Sequence, residues 1–129
     1  MSSRTTLRPN VVIKSGDMSG SITSPATILQ SITKPSYSYS WAGATPIGSI
    51  SVQASNDYSV NPDGTIDNPG TWTTIPFVVN GSLVSNIPVS GNTGTGIIDM
   101  AIGVYAIRTL YTAVSGTGSL TATITGKVS

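Results

Sequence analysis

Four segments of this chain repeat their side-chain types with a period of two, and this alternation restricts its fold more than any other feature. They are Tyr37–Trp41, Ile50–Ala54, Val104–Tyr111 and Leu120–Ile124. Because successive side chains of a β-strand point to opposite faces, each segment is predicted to be a strand with one buried face. Glu is absent from the chain, and Lys, Gln and Leu are too sparse to build a long amphipathic helix. We therefore predict an all-β fold.

The 129 residues and the spacing of these segments indicate one domain of about eight strands in two packed sheets. We predict an antiparallel, jelly-roll-like β-sandwich over residues 20–129, preceded by an N-terminal arm over residues 1–19. Val104–Lys127 is predicted to form the last hairpin, with its turn at Ser115–Gly118. Gly43–Pro46 is predicted to form another turn, because Gly and Pro favour turns.

The apolar faces of the predicted strands supply a core. The large side chains that we expect to be mostly buried are Trp41, Ile50, Val52, Trp72, Ile107, Leu120 and Ile124. An exposed aromatic strip along Tyr37–Trp41, suited to stacking on sugars, is the alternative for that segment.

The charge composition limits the classes of partner. Charged residues make up 9% of the chain, and the net charge is +1. A nucleic-acid partner is not expected, because affinity for phosphates requires several clustered cations. No apolar run approaches the roughly 20 residues of a membrane-spanning helix, so we expect no membrane partner. The chain has no Cys, which excludes disulfides.

The residues of enzyme sites are mostly missing, and we expect no enzymatic activity, catalytic residue, cofactor or metal. His, the commonest general base, is absent. The glycine-rich stretch Gly91–Gly96 is predicted to connect strands, because it lacks the G-K-[ST] ending of a phosphate loop. One loop could supply oxygen ligands for Ca²⁺, and this alternative stays open although the spacing matches no EF-hand. The candidate ligands are Asp57, Asn61, Asp63, Asp67 and Asn68.

A long insertion interrupts a predicted hairpin and is the main candidate for a functional site. The strand ending at Ser55 leads into Tyr58–Gly70, and the chain returns to a strand at Trp72. Loops of this length often carry function. Its turn residues predict a compact projection that packs on another subunit or on a capsid, with Tyr58 or Ile66 as an anchor. In the alternative, these side chains cover the edge of their own sandwich.

The N-terminal arm and one strand arginine complete the candidate interface. Residues 1–14 carry little apolar surface, so we expect them to contact a neighbouring chain. Arg108 lies inside a predicted strand, where it either faces outward or pairs with an Asp on the sheet, or contacts a partner subunit, since Arg is enriched at interfaces. The candidate contact residues are Arg4, Arg8, Val11, Ile13, Tyr58, Val60, Ile66 and Arg108.

Several strings of sequence carry a family resemblance. They are S-I-S-V-Q-A-S-N-D at 49–57, W-T-T-I at 72–75, I-D-M at 98–100, Y-A-I-R-T-L-Y-T at 105–112 and S-G-T-G-S-L-T-A-T-I-T-G-K at 115–127. Together they resemble small β-sandwich proteins of tailed-phage structural gene clusters, some of which are capsid decoration or cement proteins. The S-N-D…W pair is similar to the hairpin motif of discoidin-type sandwiches.

The resemblance implies a structural protein located in the virion. It implies a capsid decoration or cement protein, whose partners are the major capsid protein or another virion protein and further copies of itself in a homo-oligomer. The alternative is a carbohydrate- or receptor-binding module of a phage tail or fibre.

Overall fold

A computed structural model of the chain describes residues 6–29, 32–79, 81–100 and 102–127, and every regular element within them is a β-strand. This confirms the prediction of an all-β, antiparallel fold. No helix of the described residues is long and apolar enough to span a membrane. The strands are β1 (Thr6–Asp17), β2 (Ile22–Thr23), β3 (Thr27–Ile28), β4 (Lys34–Ser55), β5 (Ser59–Val60), β6 (Ile66–Asn68), β7 (Thr73–Ile75), β8 (Phe77–Val79), β9 (Ser82–Val84), β10 (Ile87–Val89), β11 (Thr93–Asp99) and β12 (Ala106–Lys127).

The antiparallel pair of β4 and β12 organises the sheet. Each strand has 22 residues, and their register runs from Ala106 opposite Ser55 to Lys127 opposite Lys34. A straight strand of that length would extend about 70 Å, at about 3.3 Å per residue. A compact chain of this size has a radius of gyration of only about 14 Å. The ladder must therefore bend to fit the domain.

The bend lies where the register shifts. The first shift falls between Ala113 and Ser115 and adds one residue to β12. The second falls between Ser115 and Thr117 and adds one residue to β4. Thr45 on β4 has a φ of 46° and Gly116 on β12 a φ of 82°. Such bulges bend strands and increase their twist. The predicted turns at these positions are therefore wrong, because both segments lie inside continuous strands.

The added residues keep one face of the sheet inward on both sides of the bend. Before the bend, β4 buries the odd-numbered Tyr37 and Tyr39; after it, the even-numbered Ile50 and Val52 are buried. In β12 the buried set changes in the same way, from odd-numbered to even-numbered residues. Both halves contribute to one hydrophobic cluster. The sheet thus folds over its own buried face into a sandwich-like arrangement.

The shorter strands extend the two halves of the ladder. The first half of β4 pairs with β11, and the second half of β12 pairs with β1. On the other side of the bend, the second half of β4 pairs with β7 and β10. The first half of β12 pairs with β2 and β3. The β8–β9 hairpin joins β11 through Val78 and Asp99. The main path across the sheet is β1-β12-β4-β11-β8-β9.

The predicted core is correct for the aliphatic residues and wrong for both tryptophans. Trp41 and Trp72 are each half-buried. Trp41 lies at the outer side of the core, where its ring stacks on Tyr39 with ring centroids 5.8 Å apart. The aliphatic residues found buried, as predicted, are Ile50, Val52, Ile107, Leu120 and Ile124.

Two glycines of β11 make room for these aromatic rings. Gly96 lies opposite Tyr39 and Gly94 opposite Trp41, and an added Cβ at either glycine would collide with the facing ring. The stretch Gly91–Gly96 was predicted to be a strand connection, but the structure places residues 93–96 within β11. Glycine serves here as a partner for aromatic side chains on the neighbouring strand.

The described part of the predicted N-terminal arm is a strand of the same sheet. β1 pairs with β12 from Thr6 opposite Lys127 to Asp17 opposite Ser119. Ile13 is 5% exposed and belongs to the core. Although residues 1–14 carry little apolar surface, Ile13 therefore anchors this segment to its own sandwich. Whether residues 1–14 also contact a neighbouring chain stays a prediction.

Replacement of Ile124 by Ala is expected to lower the free energy of unfolding by about 2–5 kcal/mol, since it leaves a cavity in the core. Val114, 74% exposed at the bend, supplies the matched control. Val114→Ala is expected to change stability by less than about 0.5 kcal/mol. Urea unfolding followed by tryptophan fluorescence measures both, and equal losses would contradict the assignment of this face to the core.

Gly116→Ala tests the bend. An added Cβ would collide with the backbone carbonyl oxygen of Thr45, and the positive φ adds strain. Gly91 has a similar φ of 83° with open space around it, so Gly91→Ala carries the strain alone. We expect a larger fall in melting temperature for Gly116→Ala. An equal fall in both variants would show that the close approach at the bend does not limit stability.

Candidate interaction site

The predicted insertion forms a small hairpin of its own. β5 and β6 make a separate two-stranded sheet, joined by a turn at residues 61–65. The backbone N–H of Asn61 donates to the backbone carbonyl oxygen of Thr65 at 2.8 Å. The Asp63 carboxylate accepts from the Thr65 hydroxyl at 2.7 Å. These hydrogen bonds hold the tip in one conformation. The segment 58–70 is thus a compact projection, here called the β5–β6 hairpin.

A carboxylate clamps the two ends of this hairpin together. Asp57 accepts hydrogen bonds from the Thr71 amide and from the Ser55 hydroxyl, each at 2.7 Å. The Ser55 hydroxyl also accepts from the Tyr58 amide at 3.1 Å. The hydrogen bond from Thr71, followed by that from Ser55, lowers the pKa of Asp57. The S-N-D part of the motif therefore has a structural role in closing the hairpin.

An aromatic and cationic stack supports the hairpin at its base. Trp72 packs against Tyr58 with ring centroids 5.6 Å apart, and its indole N–H donates to the Pro69 carbonyl oxygen at 2.8 Å. The guanidinium carbon of Arg108 lies 4.2 Å from the centre of the Trp72 ring. Gln53 accepts two hydrogen bonds from Arg108, at 2.9 and 2.7 Å. The stack connects the hairpin to both long strands.

Tyr58 and Arg108 both make contacts within their own chain. Both side chains are half-buried and bound to their own chain. Arg108 pairs on its own sheet, with Gln53 as its partner, and Tyr58 matches the alternative in which it covers its own sandwich. Contact of either with a partner stays a prediction, with less free surface than was expected.

The apolar side chains of the hairpin remain open. Val60 and Ile66 lie opposite each other across the two strands and are 39% and 59% exposed. Asp63 and Asp67 are exposed beside them. Hydrogen bonds from the hydroxyl and then the amide of Thr65 lower the pKa of Asp63, so it carries its charge at neutral pH. The hairpin thus presents an apolar pair with negative charges around it.

The N-terminal candidates lie on β1. Arg8 and Lys14 are exposed, and Val11 is 50% exposed between them. Ile13 is buried in the core of its own chain and offers no contact surface. Arg4 lies outside the described residues.

Sequence reasoning missed an apolar patch on the β8–β9 hairpin. Val78 and Leu83 lie opposite each other, and Asp99 lies beside Val78 on β11. Ile97 is on the same face of β11 as Asp99. Leu83 is 71% and Ile97 61% exposed. The signal was present, because Asn80-Gly81 between two apolar pairs predicts a hairpin with one outward face.

A shallow depression lies beside the hairpin, and the described residues form no cluster of metal ligands. No group of three or more Asp, Glu, His or Cys residues converges within the described ranges. A depression of about 220 Å³ lies at the foot of the hairpin, lined by the end of β4, by residues between Thr71 and Ile75 and by Val104. Ligand pockets commonly measure about 300–1,000 Å³. The depression is smaller than these pockets.

Loss of the Asp57 carboxylate is expected to open the base of the hairpin. Because the pKa of Asp57 is lowered in the folded state, its carboxylate stabilises the fold above the unfolded pKa of about 3.9. This stabilisation is lost as pH falls through the folded pKa. Compared with the unaltered chain, Asp57→Ala should protect the Thr71 amide less against hydrogen exchange at pH 7. In this variant the protection should not decrease further below pH 4. NMR exchange rates corrected for intrinsic pH dependence measure this. Asp99→Ala is the control, and equal protection in all three proteins would contradict the clamp.

Comparisons with known proteins identify a shared fold. No protein-family model matches the sequence, and no curated protein matches it. Among solved structures, the chain is similar to the crystal structure of SPBc2 prophage-derived protein YomS, with a TM-score of 0.58 at 10% identity. The match covers 97% of this chain and 98% of that one. The two chains therefore share one fold over almost their whole lengths.

Proposed function

We propose that this chain is a structural protein of a phage virion, and specifically a decoration or cement protein that binds the capsid lattice. The observation that carries the proposal is the fold, which is shared almost end to end with a protein derived from a prophage. The resemblance of the hairpin motifs to phage decoration proteins supports the same assignment. Such a protein acts without a chemical step, and the absence of His and Cys from the sequence agrees with this.

The apolar patch of Val78, Leu83 and Ile97 is the surface that we assign to capsid contact. It lies on a hairpin at one end of the sheet path, where Asp99 of β11 pairs with Val78. Exposed apolar patches of monomers often mark interaction sites. Binding to the assembled shell and not to its free subunits stabilises the shell by mass action.

A carbohydrate-binding tail module is the alternative, and the aromatic side chains argue against it. Stacking on sugar requires a free ring face. Arg108 lies over the Trp72 ring and Tyr58 packs against it. Trp41 stacks on Tyr39 and covers Gly94. Contacts within the chain therefore already use most of the surface of these rings, whereas Tyr105, 41% exposed, is an aromatic side chain that remains open.

Co-sedimentation with separately purified heads and tails of the phage tests the proposal. We expect the chain to pellet with heads at saturating, stoichiometric occupancy. Leu83→Ser should weaken binding by about tenfold or more, since truncation of a central interface residue costs at least 1–2 kcal/mol. Val114→Ser, an equally exposed change at the bend, should bind as the unaltered chain does.

The other outcomes have definite meanings. Pelleting with tails alone would contradict capsid decoration and favour the tail module, especially if soluble host polysaccharide competes for binding. Pelleting with neither particle would refute a virion attachment role. Equal binding by Leu83→Ser and Val114→Ser would refute the assigned surface while leaving head attachment intact.

A further inference from the structure

We propose that the β5–β6 hairpin of one copy docks on the β1 surface of a second copy, in a head-to-tail contact. The docking surface is the exposed face of the hairpin, and its partner is the surface around Val11. This deepens the proposed function, on which it rests for its biological setting, because it names how decoration subunits contact one another.

Apolar side chains supply the anchors on both surfaces. Val60 and Ile66 form a cross-strand pair on the hairpin, and both are exposed. Val11 is exposed on the outward face of β1, opposite Thr123 of β12. The turn hydrogen bonds and the Asp57 clamp hold the hairpin rigid, so little conformational entropy is lost when it docks.

Charge complementarity identifies the occupant as a second copy. Residues 55–75 contain three Asp and no Lys or Arg, so the charges that the hairpin itself carries are all negative, and the nearby cation Arg108 lies at its base over Trp72. On β1, Arg8 and Lys14 flank Val11, each three residues away from it. In the part of the chain whose side chains are described, no ion pair neutralises these charges internally. An acidic surface with an apolar centre therefore faces a basic surface with an apolar centre.

The overall charge favours association between copies. The net charge is +1, so copies do not repel one another strongly, and near-neutral chains tend to associate. The two surfaces differ from each other, so the contact is heterologous. Heterologous contacts propagate into rings or extended arrays. Such an arrangement suits copies that cover a repeating lattice.

The contact is made by side chains and not by strand addition. β1 is an edge strand, but its register shifts three times, Pro9 lies within it and Ser15 has a φ of 50°. These features protect edges against pairing with another strand. An interface that depends on exposed charges is weakened by salt. A small contact of this kind is weak in solution and gains strength through multivalency on a particle.

Sedimentation velocity of the full chain, from about 10 μM to 1 mM and without capsids, tests the proposal. We expect concentration-dependent association in 20 mM NaCl and its loss in 500 mM NaCl. Asp67→Lys and Lys14→Glu should each associate about tenfold more weakly. An equimolar mixture of the two variants should recover association, because the charges are exchanged across the contact.

Two control variants separate this contact from general charge effects. Asp99→Lys makes the same change in net charge outside the hairpin and should associate as the unaltered chain does. Ile66→Ser should weaken association, whereas Val114→Ser should not. A monomer at every concentration, or equal effects of Asp67→Lys and Asp99→Lys, would overturn the proposal. Head binding is measured separately, so its failure and the failure of self-association are distinguishable.

Discussion

The ladder between β4 and β12 is the constraint on which the rest of the structure depends. Every strand of the large sheet except β8 and β9 is hydrogen-bonded directly to one of these two strands. Their 22-residue length is compatible with a compact domain only because both strands bulge at the same level. Asn92 braces this point, since its backbone oxygen accepts from the Gly43 amide and its side chain from the Thr45 amide. The bend therefore defines both layers of the arrangement.

The candidate surfaces follow from where this ladder ends. β4 terminates at Ser55, where the chain leaves the sheet to form the β5–β6 hairpin and returns at Trp72. Arg108 of β12 and Gln53 of β4 lie opposite each other and hold the Trp72 ring from the sheet side. The projection is thus attached to the most extensively paired part of the domain. A rigid projection loses little entropy on binding, which suits contact between surfaces more than enclosure of a ligand.

The alternating pattern of the sequence predicted most of the strands and the aliphatic core, because burial of one sheet face requires that pattern. It failed at Gly43–Pro46 and Ser115–Gly118, since bulges and turns use the same residues to reach unusual backbone conformations. It also failed at Ile13, the last residue of the short apolar run Val11–Ile13, which fixes β1 to the core. Long-range packing decides whether so short a run is buried.

The candidate site was predictable in position and not in detail. The length and turn residues of Tyr58–Gly70 indicated a compact projection, but the cation over Trp72 joins residues 36 positions apart, and nothing local in the sequence marks that pairing. The apolar patch around Leu83 was hidden for a related reason. An alternating strand shows that one face is apolar, but only the sheet order shows that nothing covers it within the described residues.

The central claim is that the chain is a component of the virion. Quantitative peptide mass spectrometry of density-purified particles, from the phage proposed to encode the chain, tests it most directly. The account predicts the chain in a constant, multi-copy ratio to the major capsid protein across the particle peak. Abundance in the infected-cell lysate together with absence from purified particles would contradict it.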